Sequence, residues 1–471
     1  MSEVPLTITE AADALRRGQL TSVELTRAVL ERADRLDPAL GVYLRRMDDS
    51  ALDEARRADA DLANGVDRGP LQGIPLGIKD IIATGNAPTT AQSLILDPTW
   101  GNRGDAPVVA RLRAAGAVIT GKTTTMEFAT GLPDPDKPFP VPRNPWNTDH
   151  WPGGSSSGTG AGVAAGLFLG GLGTDTGGSI RGPSAYCAIS GLKPTFGRVP
   201  KSGCVPLGFS LDHIGPMARS ARDCAVMLQV IAGYDRSDPT CRNVPVPDYL
   251  AALSGSLEGM KIAVEREHHT RVDGVLPESV DAFETAMGAI EDAGARTIEV
   301  VIPHYAEITF AGRVLSRSEA AAYHMLDLRM RWSDYGVHTR DAVAQGALYS
   351  ASDVVQAQRV RQYGKKLIAE LLRPFDVLVT LSRGSGAPAV EGLTMESYSK
   401  KPSFTSIWNA MGLPALCIPM GFTDDGLPLS LQIVGKPFDE ATVLRVGDAF
   451  QQLTDWHLKV PAMAAAEPVA A

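Results

Sequence analysis

The chain has 471 residues, 44% of them hydrophobic and 21% charged, with a formal net charge of −9. At roughly 150 residues per domain this length suggests about three domains, although large α/β enzymes often fold as one unit, and the apolar share is enough for a sizeable core. The negative charge, with basic residues scattered along the chain, excludes a general binder of nucleic-acid backbones.

The N-terminus, MSEVPLTITEAAD, is acidic and lacks the apolar run of a signal peptide. No stretch approaches the 18 or so uninterrupted apolar residues of a membrane span. Five cysteines (Cys187, Cys204, Cys224, Cys241 and Cys417) lie far apart with no C-x-x-C pair, as expected for buried thiols in a cytoplasmic protein. Residues 1–65 read as a helical arm. Thr7-x-x-Glu10 and Thr21-x-x-Glu24 are capping-box starts, and Leu25, Ala28, Val29, Ala33 and Leu36 form an apolar stripe that Asp37-Pro38 is expected to end.

From Gly73 short apolar runs alternate with helical stretches. GIPLGIK, AVIT, GLGTD, KIAV, TIEVVI, DVLVTL, ALCIPM and LSLQIV read as buried strands. VVARLRAAG, PESVDAFETAMGAIEDAG and EATVLRVGDAFQQL read as helices, the first two closing on glycine. The alternation predicts an α/β fold with one large sheet, spanning residues 66–460. The alanine-rich residues 461–471 are expected to be disordered.

Several motifs fail on context. GAVITGKT (Gly116–Thr123) matches a P-loop pattern, but a strand falls inside it where a phosphate-binding loop has its turn. GSSSG (Gly154–Gly158) would make Ser156 an α/β-hydrolase nucleophile, yet the preceding PRNPWNTDHWPG cannot supply the strand of a nucleophile elbow. Ser190-x-x-Lys193 and Ser397-x-x-Lys400 are short enough to arise by chance. The eight histidines show no ligand spacing, so no metal site is indicated. His268 and His269 sit in a charged stretch and are expected to be solvated.

Chemistry concentrates in GGSSSGTGAGVAAGLFLGGLGTDTGGSIRGPSAYCAISGLKPT, from Gly153 to Thr195. Two glycine-rich polar loops flank a small-residue segment that reads as a tightly packed helix. The second loop follows a strand, and its successive glycines can turn several N–H groups into one cavity. A serine at the end of such a nest would attack beside its own oxyanion hole.

These loops resemble the signature of the amidase signature family of serine hydrolases. GIPLGIKD (Gly73–Asp80) is similar to that family's lysine motif, PGGSSSG to its first serine loop and GTDTGGSIR to its nucleophile loop; GLKPT, GLPALCIPMGF and GLPLSLQIVG fit later landmarks. The resemblance implies one large domain with a central mixed β-sheet covered by helices on both faces. It implies Ser179 as nucleophile, Ser155 as bridging serine after a cis Gly154–Ser155 peptide, and Lys79 as base. The oxyanion donors would be the N–H groups of Thr176, Gly177 and Gly178. No cofactor and no metal are expected.

The residues suit those roles. A serine hydroxyl needs a base, and lysine can be that base only when neutral, which burial favours. Lys79 lies between Ile74-Pro75-Leu76-Gly77-Ile78 and Ile81-Ile82. Ser156 is expected to be a supporting donor, and Asp175 and Arg181 a structural ion pair holding the loop. Thr130, Gly131 and Trp408 are assigned to the substrate pocket, with an apolar acyl site. The expected substrate is a linear amide or acyl hydrazide, and a homodimer is compatible with the sequence. The other reading is the glutaminase subunit of a transfer-RNA-dependent amidotransferase. That subunit carries an acid near the position of Pro402, and its absence favours a free-standing hydrolase.

Overall fold

The apolar runs bounded by glycine and proline do form strands. The computed structural model describes residues 5–102 and 104–465; residues 466–471 of the alanine-rich tail lie outside it. Eleven strands make one sheet: β1 (Tyr43–Arg46), β2 (Pro75–Lys79), β3 (Val118–Thr123), β4 (Gly170–Asp175), β5 (Ser190–Lys193), β6 (His213–Ala218), β7 (Lys261–Glu265), β8 (Arg296–Val300), β9 (Val377–Leu381), β10 (Ala415–Phe422) and β11 (Pro428–Val434). Their order is β1-β3-β2-β4-β6-β5-β10-β11-β9-β7-β8. The sheet is mixed. β2 runs parallel to β3 and β4, and β7 parallel to β8 and β9, while the central strands pair antiparallel. With the helices, the chain is a single α/β domain.

Side chains alternate across a strand, and in the inner strands both faces are buried. Ile262 and Val264 of β7 and Val377 and Val379 of β9 enter one hydrophobic cluster, whereas Ala263 and Leu378 enter another. The first cluster packs the helices Ala221–Ile231, Pro277–Asp292 and Glu440–Leu453; the second packs Ser406–Met411. Helices therefore cover both sides of the sheet.

The N-terminal segment differs from a purely helical arm. Both capping boxes form, but β1 lies inside residues 1–65 and pairs antiparallel with β3. The arm supplies an edge strand, so the sheet shows no break at residue 66. The second helix, Ser22–Leu40, runs through Pro38 and ends at Gly41 in the left-handed conformation (φ 60°). Pro38 lies in the last turn, and the freed N–H groups of Val42 and Tyr43 donate to the Asp37 carboxylate.

The small-residue segment is the helix Ser157–Ala165, buried along its length. A β-carbon on Gly158 would stand 2.3 Å from the Val42 carbonyl oxygen, and one on Gly162 would stand 2.2 Å from the Phe168 ring. Glycine is needed there for close approach, and that approach brings the first serine loop down onto the sheet.

Candidate active site

β2 and β4 are parallel neighbours, with Ile78 opposite Leu172. Their carboxyl ends deliver Lys79 and Thr174 side by side, the usual location for a site in an α/β sheet. The Lys79 ammonium nitrogen is 2.6 Å from Ser155 Oγ and 2.7 Å from Thr174 Oγ1. Lys79 is 0% exposed. Burial pushes its ammonium down to about 7, outweighing the opposing pull of Cys204, Asp175 and Asp212. The Gly154–Ser155 peptide is cis.

Ser179 sits on the loop after β4 and is half-buried. The two serine loops are joined through the backbone, where the Ser156 N–H donates to the Ser179 carbonyl at 3.2 Å. Among the described residues the Ser179 hydroxyl makes no hydrogen bond, so the structure brings Lys79 to Ser155 and leaves the last link to Ser179 open. Ser156 is wholly buried. Its hydroxyl donates to the Thr174 carbonyl and accepts from the Thr174 N–H. It splints the first loop to β4, and no strand precedes it, which excludes the nucleophile-elbow geometry.

Asp175 and Arg181 form a fully buried ion pair at 2.9 Å. The carboxylate also accepts from the N–H groups of Gly178 and Ile180 and from the Asn409 amide. Burial raises the Asp175 carboxyl, but the facing Arg181 guanidinium and these donors hold it well below the usual carboxylate range. Arg181 reaches further, to the Thr405 carbonyl and to Asn409 Oδ1. Gly178 adopts φ 129°, and a β-carbon there would fall 2.1 Å from Thr405 Oγ1, so only glycine fits.

This network corrects one expectation. The Gly178 N–H donates to Asp175 Oδ1 at 2.7 Å, because the carboxylate is the stronger acceptor in the loop. The N–H groups of Thr176 and Gly177 have no partner among the described residues. Asp212 fixes this end of the nest, accepting from the Thr176 hydroxyl at 2.5 Å and from the N–H groups of Leu207 and Gly208.

The pocket residues divide. Thr130 and Gly131 follow the turn Glu127–Ala129, next to Met126, whose N–H donates to the Ser155 carbonyl. The Thr130 hydroxyl accepts from Arg317 at 3.3 Å. Trp408 is 0% exposed and packs in a core cluster with Ile308, Ile368 and Met411. It is packed into the core, while the next residue of the same helix, Asn409, bonds Asp175 in the nucleophile loop.

Sequence reasoning missed Thr174, Asp212, Thr405 and Asn409. Thr174 was visible only through strand register, and the other three come from distant segments. The look-alike motifs resolve as scaffold. Lys122 of the P-loop-like stretch lies in β3 and pairs with buried Asp80 at 3.0 Å. Lys193 is buried and donates to the Pro194 and Leu413 carbonyls. The expectation that His269 is solvated is corrected: it is buried, bonded to the Glu265 carboxylate at the end of β7. Among the described residues no cluster of three or more His, Cys, Asp or Glu could hold a metal ion, and no helix is long and apolar enough to cross a membrane.

The family model described as Amidase matches residues 24–444. A glutamyl-tRNA(Gln) amidotransferase subunit of Roseiflexus sp. (strain RS-1) is 42% identical, over 97% of this chain and 98% of its own. The native peptide amidase of Stenotrophomonas maltophilia superimposes with a TM-score of 0.82 at 30% identity, covering 95% of this chain and 98% of that one. A structure described as a vestigial protein complex revealing the origins of an s-triazine catabolic enzyme gives a TM-score of 0.88 at 30% identity, covering 95% and 98%. The chain belongs to the amidase family.

Proposed function

We propose that this chain hydrolyses the C–N bond of a linear carboxylic amide or acyl hydrazide through Ser179, Ser155 and Lys79, with an acyl-enzyme intermediate. Membership of the amidase family supplies the reaction type, hydrolysis of a C–N bond. The observation that carries the reading is Lys79, buried, bonded to Ser155 and pushed down to about 7, so that a neutral amine is available near neutral pH. Lys79 takes the Ser155 proton as Ser155 takes that of Ser179. Ser179 Oγ bonds to the carbonyl carbon, and the negative charge on oxygen meets the N–H groups of Thr176 and Gly177. The proton returns through Ser155 to the departing nitrogen as the C–N bond breaks. Water then repeats the sequence and releases the carboxylic acid.

The amidotransferase reading has one observation in its favour, the 42% identity to the Roseiflexus amidotransferase subunit. Against it stands Pro402, near the position where that subunit type carries an acid, three residues before Thr405, whose hydroxyl donates to the Gly177 carbonyl. The purified chain alone should release product from a small aryl amide or hydrazide without nucleotide, and EDTA should leave the rate unchanged. Turnover of glutamine only, and only with partner subunits, would establish the other reading. A fluorophosphonate probe should label Ser179; labelling of Ser156 would refute the proposed roles.

A further inference from the structure

We infer that the chain carries a second ligand site, for a medium-chain alkyl carboxylate, on the far side of the helix Ser406–Met411 from the nucleophile loop. Asn409 of that helix bonds Asp175, whereas Met411 and the following Gly412 and Leu413 face a separate cavity of about 550 Å³. Ligand pockets commonly run from roughly 300 to 1,000 Å³ with apolar walls and a few convergent polar groups. The walls here are Phe196, Ile368, Leu372 and Phe438, and the charged groups lining the cavity are Arg242, Lys365, Arg373 and Lys436.

All four charged groups are cations. Among the described residues none of them forms an ion pair, and the cavity has no acidic lining residue. The Lys365 ammonium is half-buried, and burial together with the Arg361 and Arg242 guanidiniums pushes it down to about 8. A carboxylate there would relieve like-charge repulsion, and an alkyl tail would cover apolar wall and take it out of water. Phe438 holds its ring at the wall with φ 64°, a conformation costly for a side chain of this size. It is kept there by its N–H bond to Thr195 Oγ1 at 2.8 Å and by Arg198 stacked 4.8 Å over the ring. Nothing in the proposed hydrolysis uses this wall.

Calorimetric titration of the full chain with decanoate, below its micelle concentration, should show saturable binding at one site. Decylammonium should bind at least tenfold more weakly. Lys365→Glu with Arg373→Glu should weaken decanoate at least tenfold while leaving amide hydrolysis intact, and Ala369→Trp, which fills the cavity without changing charge, should abolish binding. Equal affinity for decanoate and decylammonium, no saturable binding, or undiminished binding in a variant that still hydrolyses amide would overturn the inference.

Discussion

Lys79 concentrates the chemistry in one side chain. Among the described residues its ammonium has two hydroxyl acceptors and no acid within hydrogen-bonding distance, so its low proton affinity follows from burial. Hydrolysis should therefore fall as pH drops through about 7, because the group that must be neutral becomes protonated. The limb belongs to the lysine coupled with its serines, and a kcat/KM profile from pH 5 to 9 would locate it. Lys79→Ala should lower kcat by at least the roughly 10²–10⁴-fold typical of general-base catalysis. Lys79→Arg should not restore it, since guanidinium stays charged. A correctly folded Lys79→Ala chain with parental turnover at pH 7 would remove the central role given to this residue.

The decisive element is the loop from Asp175 to Arg181, which closes on itself around one carboxylate. Asp175→Asn keeps the shape but leaves Arg181 buried without its counter-ion, a change that typically costs about 3–5 kcal/mol. Because the native Asp175 carboxyl is held well below its unfolded value, its stabilisation is complete above pH ~4 and fades only as pH falls through the native value. Denaturant midpoints at pH 5 and pH 7 should thus show the same deficit. A gap that shrank between them would mean that the charge of Asp175 is not what holds the loop. The Gly178 N–H would also lose its strongest acceptor, so hydrolysis should fall with stability.

Across the whole molecule, the same burial that makes Lys79 a base weakens the fold. Its native proton affinity lies below the ordinary lysine value of 10.5. Between pH 7 and that value the unfolded chain holds a proton that the native chain lacks, so this residue makes stability rise with pH across that window. Lys79→Met should stabilise the chain by a few kcal/mol at about pH 6, and the gain should vanish near pH 10. Urea denaturation at pH 6, 8 and 10 would show it. A methionine variant less stable than the parent at pH 6 would indicate that the bonds to Ser155 and Thr174 outweigh desolvation.

The sequence by itself marked eight of the eleven described strands and both N-terminal capping boxes, because these depend on local texture: short apolar runs and capping residues close in the chain. Glycine spacing singled out the two serine loops, whereas the part assigned to Lys79 came only from the family resemblance, since a lone lysine after an apolar run reads equally as a surface side chain. β1, β5 and β6 were not legible. β1 carries two arginines, and β5 and β6 contain glycine, proline, lysine and histidine, so neither alternation nor an unbroken apolar run marks them. Only the tertiary structure decided that Lys79 and Thr174 are neighbours, since that depends on β2 pairing with β4 across almost a hundred residues. It likewise decided that Gly178 gives its N–H to Asp175, that Trp408 faces the core, and that Asn409 and Thr405, more than two hundred residues away, close the nucleophile loop. Burial and charge pairing arise from the packing of distant segments, and no local pattern encodes which segment will arrive.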